Sequence, residues 1–177
     1  SEEEFNLVCN YVDPVIKKLK SKGVSVLFDK RDSYKPGYKF NEHEIKGVPI
    51  RIVAGPKDIE SSTLEIFRRD KMEKETIDFD KVYSKVDFLI TDIQENLYKK
   101  AQDFTNSSTR KADTFEEFKE LINKKGGFVS AHWDGTKESE EKIKRETKAT
   151  IRLIPIDGVK EKGNCIYSKK PSQQRVL

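Results

Sequence analysis

The sequence predicts an α/β protein in two segments, each a mixed layer of helix and strand, the second smaller and more basic. Three observations predict this. Some stretches carry apolar residues every three to four positions, as an amphipathic helix does, while others are short β-branched runs. The two kinds of stretch alternate along the chain. A polar run, Thr105 to Thr109, separates two such series and reads as a linker.

The elements follow in order. Phe5, Val8, Val12, Ile16 and Leu19 share one helical face, with Pro14 inside the pattern marking a kink or a restart. Gly23 follows, suited to the left-handed position after a helix, and Val24 to Phe28 reads as a strand. Asp29 to Asn41 reads as a loop rich in charge and tyrosine, followed by one helical turn over 42–46. Val48 to Val53 is a strand stopped by Gly55-Pro56. Thr63–Arg69 and Glu75–Phe79 alternate as the arms of a β-hairpin. Val82, Val86, Leu89, Ile93, Leu97, Ala101 and Phe104 form the stripe of a long helix over 81–104. Beyond the linker, Thr114 and Glu117 make a capping-box signature for a helix ended by Gly126-Gly127. Phe128–Trp133 then reads as a strand, Glu138–Lys148 as a charged helix and Thr150–Ile154 as a strand; the tail from Asp157 has little periodicity.

Of 177 residues, 34% are apolar and 37% charged, so the cores must be small. No apolar run is long enough for a membrane span or a signal-peptide core. Two cysteines, Cys9 and Cys165, make no disulfide framework and suit a reducing, cytoplasmic compartment. The net charge of +4 is uneven: residues 17–57 hold eleven Lys/Arg against Asp29, Asp32, Glu42 and Glu44. Such a stretch attracts a polyanion, of which RNA is the commonest inside cells. Charge alone equally fits a solvated helix face and a basic loop.

Autonomous catalysis finds little support. His43 and His132 are the only histidines and lie in different segments, and no glycine-rich phosphate loop is present. The informative stretch is Lys35 to Arg51, which mixes cations with aromatic rings ahead of a strand. Rings stack on unpaired bases, cations hold phosphates, and a carboxylate or guanidinium reads base edges. A basic loop whose Phe40 merely plugs the core would show the same composition.

Within this stretch the run KPGYKFNEHEIKGVPIRIVAGPKDIESSTLEIFRRDK resembles the anticodon-binding domain of prolyl-tRNA synthetase, of the archaeal/eukaryote-like type. IQENLYKKAQDF is similar to a helix of that family. AHWDGTKESEEKIKRETKATIRLIPIDG and GNCIYSKKPSQQRVL resemble its C-terminal domain, so the resemblance covers nearly the whole chain. It implies a mixed-sheet anticodon-binding domain flanked by helices over 1–105, its opening strand apparently missing. A linker over 106–112 and a smaller C-terminal zinc-binding-like domain over 113–177 would follow. The catalytic core would lie ahead of residue 1, so that these residues would be inactive alone. Proline, ATP and magnesium would belong to the parent enzyme, a homodimer through that core.

By the same resemblance this segment would select tRNA(Pro), with no role for DNA or membrane. Proline anticodons carry two guanines, whose N1–H and N2–H suit a carboxylate and whose O6 and N7 suit an arginine. The resemblance places Glu44 and Arg51 in these roles, Phe40 as a stacking face and Lys74 as a basic residue beside the same bases. The family's zinc ligands fall on Asp134, Ser139, Cys165 and Ser168. Three of four have lost their thiolate, so zinc binding is not expected. Packing around Phe128, Trp133, Ile143, Ile151 and Leu153 should then hold the small domain. The competing reading is a freestanding, synthetase-like paralogue that serves as a protein-interaction module.

Overall fold

A computed structural model describes residues 2–177. Two compact units divide the chain, the first ending at Lys99 and the second running from Lys100 to Leu177. Both combine helix and strand, as the sequence predicts.

In the first unit, α1 (Glu2–Ser21) opens on Glu2, Glu3 and Glu4 and closes on Lys18 and Lys20, which complements the helix dipole at both ends. It runs through Pro14 as one helix. Val24–Phe28, expected as a strand, is extended but pairs with no other strand among the described residues. Val24, Val26 and Phe28 nonetheless pack on the core, while Leu27 faces solvent.

The expected loop over 29–41 is half helix. α2 (Pro36–Ile45) starts at Pro36, where a missing N–H costs nothing because first-turn donors have no partner within the helix. The single turn expected over 42–46 is the end of this ten-residue helix. Next come β1 (Ile50–Val53), a short α3 (Pro56–Ser61), β2 (Thr63–Arg68) and β3 (Glu73–Asp78). The sheet is antiparallel in the order β1-β2-β3, with the hairpin where alternation predicts it. Leu64 and Ile66 of β2, fully buried, point with Ile50, Ile52 and Ile77 into the core. There they meet Val12 and Leu19 of α1, and Val82, Val86, Leu89 and Ile93 of α4 (Val82–Ser108). The period of two therefore sends Arg51, Glu65, Phe67 and Lys74 to the opposite face.

Residues 106–112 are not a linker: they close α4 and form β4 (Thr109–Lys111). The polar side chains that suggested a break bond back to their own helix. Thr105 Oγ1 donates to Ala101 O (2.9 Å) and Thr109 Oγ1 to Thr105 O (2.8 Å).

In the second unit β4 pairs in parallel with β5 (Phe128–His132), and β5 pairs antiparallel with β8 (Arg175–Val176). β6 (Gly163–Asn164) and β7 (Pro171–Ser172) form a separate two-stranded ladder. α5 (Phe115–Lys125) opens with the predicted box: the Glu117 N–H donates to Thr114 Oγ1 (3.2 Å) while the Thr114 N–H donates to Glu117 Oε2 (3.2 Å). α6 (Lys137–Thr147) follows β5. Ala112, Phe115, Phe118, Val129, Ala131 and Ile166 make the core, with Ile143 partly buried against it. Phe128 and Leu153, expected inside, are exposed, because β5 buries Val129, Ala131 and His132. Thr150–Ile154 is no strand; the Arg152 and Leu153 N–H groups donate instead to Leu177 O. No helix among the described residues is long and apolar enough to cross a membrane.

Candidate nucleic-acid interface

The register of the first sheet builds the site. Arg51 of β1 lies opposite Phe67 of β2, and Phe67 opposite Lys74 of β3, so a cation, a ring and a second cation form a row on the face away from the core. α2 supplies two further residues, Phe40 and Glu44, four positions and one turn apart on one helix face. The structure thus brings together Phe40, Glu44 and Arg51 and sets Lys74 one strand beyond.

Arg51 is held between two rings. Its guanidinium carbon lies 4.0 Å from the Phe40 centroid and 4.1 Å from the Phe67 centroid. One of its Nη groups donates to Glu44 Oε1. A guanidinium is planar and weakly hydrated, which is why it tolerates such a slot where an ammonium would not. Its Nε is buried without a partner, so the contacts at the outer end and the rings position the side chain. Glu44 and Arg51 remain partly open, at 28% and 19% side-chain exposure, so the pair can be reached from solvent. Lys74 is exposed and pairs with Glu65 (3.0 Å).

Glu44 and Phe40 are placed by how α2 is anchored. Arg31 forms a fork onto Asp29 (Nε 2.9 Å, Nη2 2.7 Å) and also reaches Glu42 (2.7 Å). His43 Nε2 donates to Asp29 Oδ2 (3.1 Å), and Lys46 donates to Glu42 (2.5 Å). Arg31 chiefly, then His43, hold the Asp29 carboxyl well below the usual carboxylate range against the opposing effect of burial. Lys46, then Arg31, bring Glu42 down to about 2. Much of the local positive charge is thereby neutralised: Arg31 and Lys46 serve the scaffold. Phe67 and this Asp29 network were not singled out in the sequence; the hairpin register was the only signal for the former, and nothing local marked the latter.

In the second unit the four positions aligned with zinc ligands also converge, as a hydrogen-bonded knot. Ser139 Oγ donates to Asp134 Oδ1 (2.6 Å), Ser168 Oγ to Asp134 Oδ2 (2.5 Å), and Thr136 adds its hydroxyl (2.8 Å) and N–H (3.0 Å). Trp133 Nε1 donates to Ser139 Oγ (2.9 Å), and the Ser168 N–H points to Cys165 Sγ (3.5 Å). Burial pushes the Asp134 carboxyl up, but the bonds from Ser139, Ser168 and Thr136 outweigh it and hold it well below its usual range. A donor set of one carboxylate, two hydroxyls and one thiol, with the carboxylate already saturated by O–H and N–H donors, does not fit a structural zinc. Among the described residues no three His, Cys, Asp or Glu side chains are grouped to hold a metal.

Residues 2–89 match the family described as anticodon binding domain, so the first unit has that family's fold. Residues 115–177 match the family described as prolyl-tRNA synthetase, C-terminal. The whole chain is similar to the proline–tRNA ligases of Christiangramia forsetii (45% identical over 177 residues), Bacteroides fragilis (46% over 181) and Parabacteroides distasonis (49% over 177). It spans 36% of the length of each. The chain belongs to the prolyl-tRNA synthetase family, within its C-terminal region.

Proposed function

We propose that this chain is the tRNA-selecting region of a cytoplasmic prolyl-tRNA synthetase and that its first unit reads the anticodon of tRNA(Pro). The observation that carries this is the Arg51 guanidinium, stacked between Phe40 and Phe67 and joined to Glu44 on the open face of the sheet. A carboxylate beside a guanidinium presents acceptor and donors side by side. Guanine's Watson–Crick edge presents the complement, with N1–H and N2–H for Glu44 and O6 for Arg51. Adenine offers the reverse order and is refused. The outward face of Phe40 stacks on a base, and Lys74 holds the neighbouring backbone or base edge. In the longer protein the remaining chain would join proline to this tRNA with ATP and magnesium and would form the homodimer. The second unit binds no zinc and serves as a structural buttress.

The test is binding to a proline tRNA transcript beside the same transcript with both anticodon guanines replaced, at several salt concentrations. Replacement should cost about 1–3 kcal/mol per base, and Glu44→Ala or Arg51→Ala should erase the difference. Equal, weak, salt-sensitive binding of both transcripts would reduce the site to a charged surface.

A further inference from the structure

The first unit has four arginines, and three of them are committed. Asp29 and Glu42 hold Arg31, Glu44 holds Arg51, and Asp70 and Asp92 hold Arg68. Arg69 has no acidic partner among the described residues, and its Nε is buried without an acceptor. No ion pair or side-chain hydrogen bond among the described residues engages its outer nitrogens either, which leaves them to an acceptor from outside the fold.

Its position says what that acceptor is. Ile50 pairs with Arg68, so Arg69 falls opposite Pro49, and its N–H donates to Pro49 O (3.0 Å). This bond extends the ladder one step past β2. Alternation sends Leu64, Ile66 and Arg68 to the core side, and Phe67 and Arg69 to the side of Arg51 and Lys74. Arg69 is therefore the diagonal cross-strand neighbour of Arg51, roughly 7–8 Å away in such ladders. The adjacent carboxylate cannot neutralise it: Asp70 receives a fork from Arg68 (2.9 and 2.8 Å) and a bond from Asn96 (2.5 Å). A partly exposed arginine with a buried Nε, beside a face that takes bases, lacks only a planar pair of anionic oxygens for its outer nitrogens.

We infer that Arg69 binds a backbone phosphate of the RNA whose bases meet Phe40, Glu44 and Arg51, fixing the register of the strand without reading its sequence. The inference rests on the anticodon reading above and assigns a phosphate contact that the sequence motifs did not.

Arg69→Gln and Arg69→Lys would be compared with wild type against the two transcripts, over a range of salt, after thermal melts confirm folding. Arg69→Gln should weaken both transcripts by the same factor, about three- to tenfold, and lower the salt slope by about one. Arg69→Lys should keep the wild-type slope and recover only part of the affinity, because an ammonium gives up the fork. Loss of discrimination between the transcripts in Arg69→Gln would overturn the phosphate assignment in favour of base reading. Unchanged affinity and slope would overturn any RNA contact. A wild-type chain that fails to discriminate, while Arg69→Gln still lowers the slope, would sink the anticodon reading and leave the phosphate contact standing.

Discussion

Arg51 owes its place to two kinds of neighbour that come from different parts of the chain. Phe67 was reachable from the sequence through hairpin register, since an alternating strand that buries Leu64 and Ile66 must turn Phe67 the other way. The resemblance named Phe40, but its contact with Arg51 was hidden, because its stretch read as a loop rather than as the helix that carries it there. Side chains whose environment is non-local are the ones a single sequence hides. Gly163 is the sharpest case. Nothing in Lys162-Gly163-Asn164 distinguishes it from a turn glycine, yet a Cβ there would overlap the imidazole of His132. That ring cannot step aside: it is buried, its Nε2 donates to Glu161 Oε1 (3.1 Å), and Nδ1 shares a hydrogen bond with the Ser172 hydroxyl (3.1 Å). Gly163→Ala should therefore destabilise the second unit by about 1–3 kcal/mol through overpacking alone. A lower midpoint in urea, read from tryptophan fluorescence, checks it; an unchanged midpoint would mean that the ring moves freely.

At the scale of elements, the legible ones were those whose signal is local and complete. The Thr114–Glu117 box, the β2–β3 hairpin and the first half of the α4 stripe, Val82 to Ile93, needed only their own residues; Leu97, Ala101 and Phe104, expected in the same stripe, are exposed. α2 was missed because Pro36-Gly37 looks like loop punctuation, although a proline is welcome in a first turn. Val24–Phe28 has the composition of a strand and none of the pairing, which depends on a neighbour that composition cannot supply. The helix that carries Phe40 and Glu44 is tied down chiefly by ionised Asp29 and Glu42. Both carboxyls sit below their unfolded values, so their support is complete above roughly pH 4–4.5 and is lost as pH falls through the folded values. Amide chemical shifts over 36–45 should then hold down to about pH 3 and move together as pH falls toward about 2, where the folded Glu42 carboxyl takes its proton. Asp29→Asn should move them at neutral pH and weaken tRNA binding, with little change in the melting of the sheet. If α2 keeps its shifts in Asp29→Asn, the network is not its anchor.

Considered as a whole, the chain meets the shortage of apolar residues that its composition announced in two different ways. The first unit buries a contiguous core of eight side chains from helix and sheet. The second has a buried apolar cluster of six, two of them alanines, and a core of that size commonly needs a staple. The resemblance marked Asp134, Ser139, Cys165 and Ser168 only as aligned with zinc ligands and left the unit to apolar packing, yet the four converge. What replaces thiolate there became visible only in three dimensions: one carboxylate accepting from two serines and a threonine, tying the turn before α6 to the turn before β7. Because this carboxyl is held below its unfolded value, its contribution is present at neutral pH and disappears as pH falls below about 4. The only tryptophan, Trp133, donates into the knot and reports on it directly. Asp134→Ala should lower the stability of residues 100–177 by about 1–3 kcal/mol, since three hydroxyl groups lose their common acceptor at once. Chelator should leave the wild-type fluorescence transition where it stands, while acid should bring it toward that of the variant. A transition that shifts with chelator instead would mean that a metal, not the Asp134 carboxylate alone, closes the second unit.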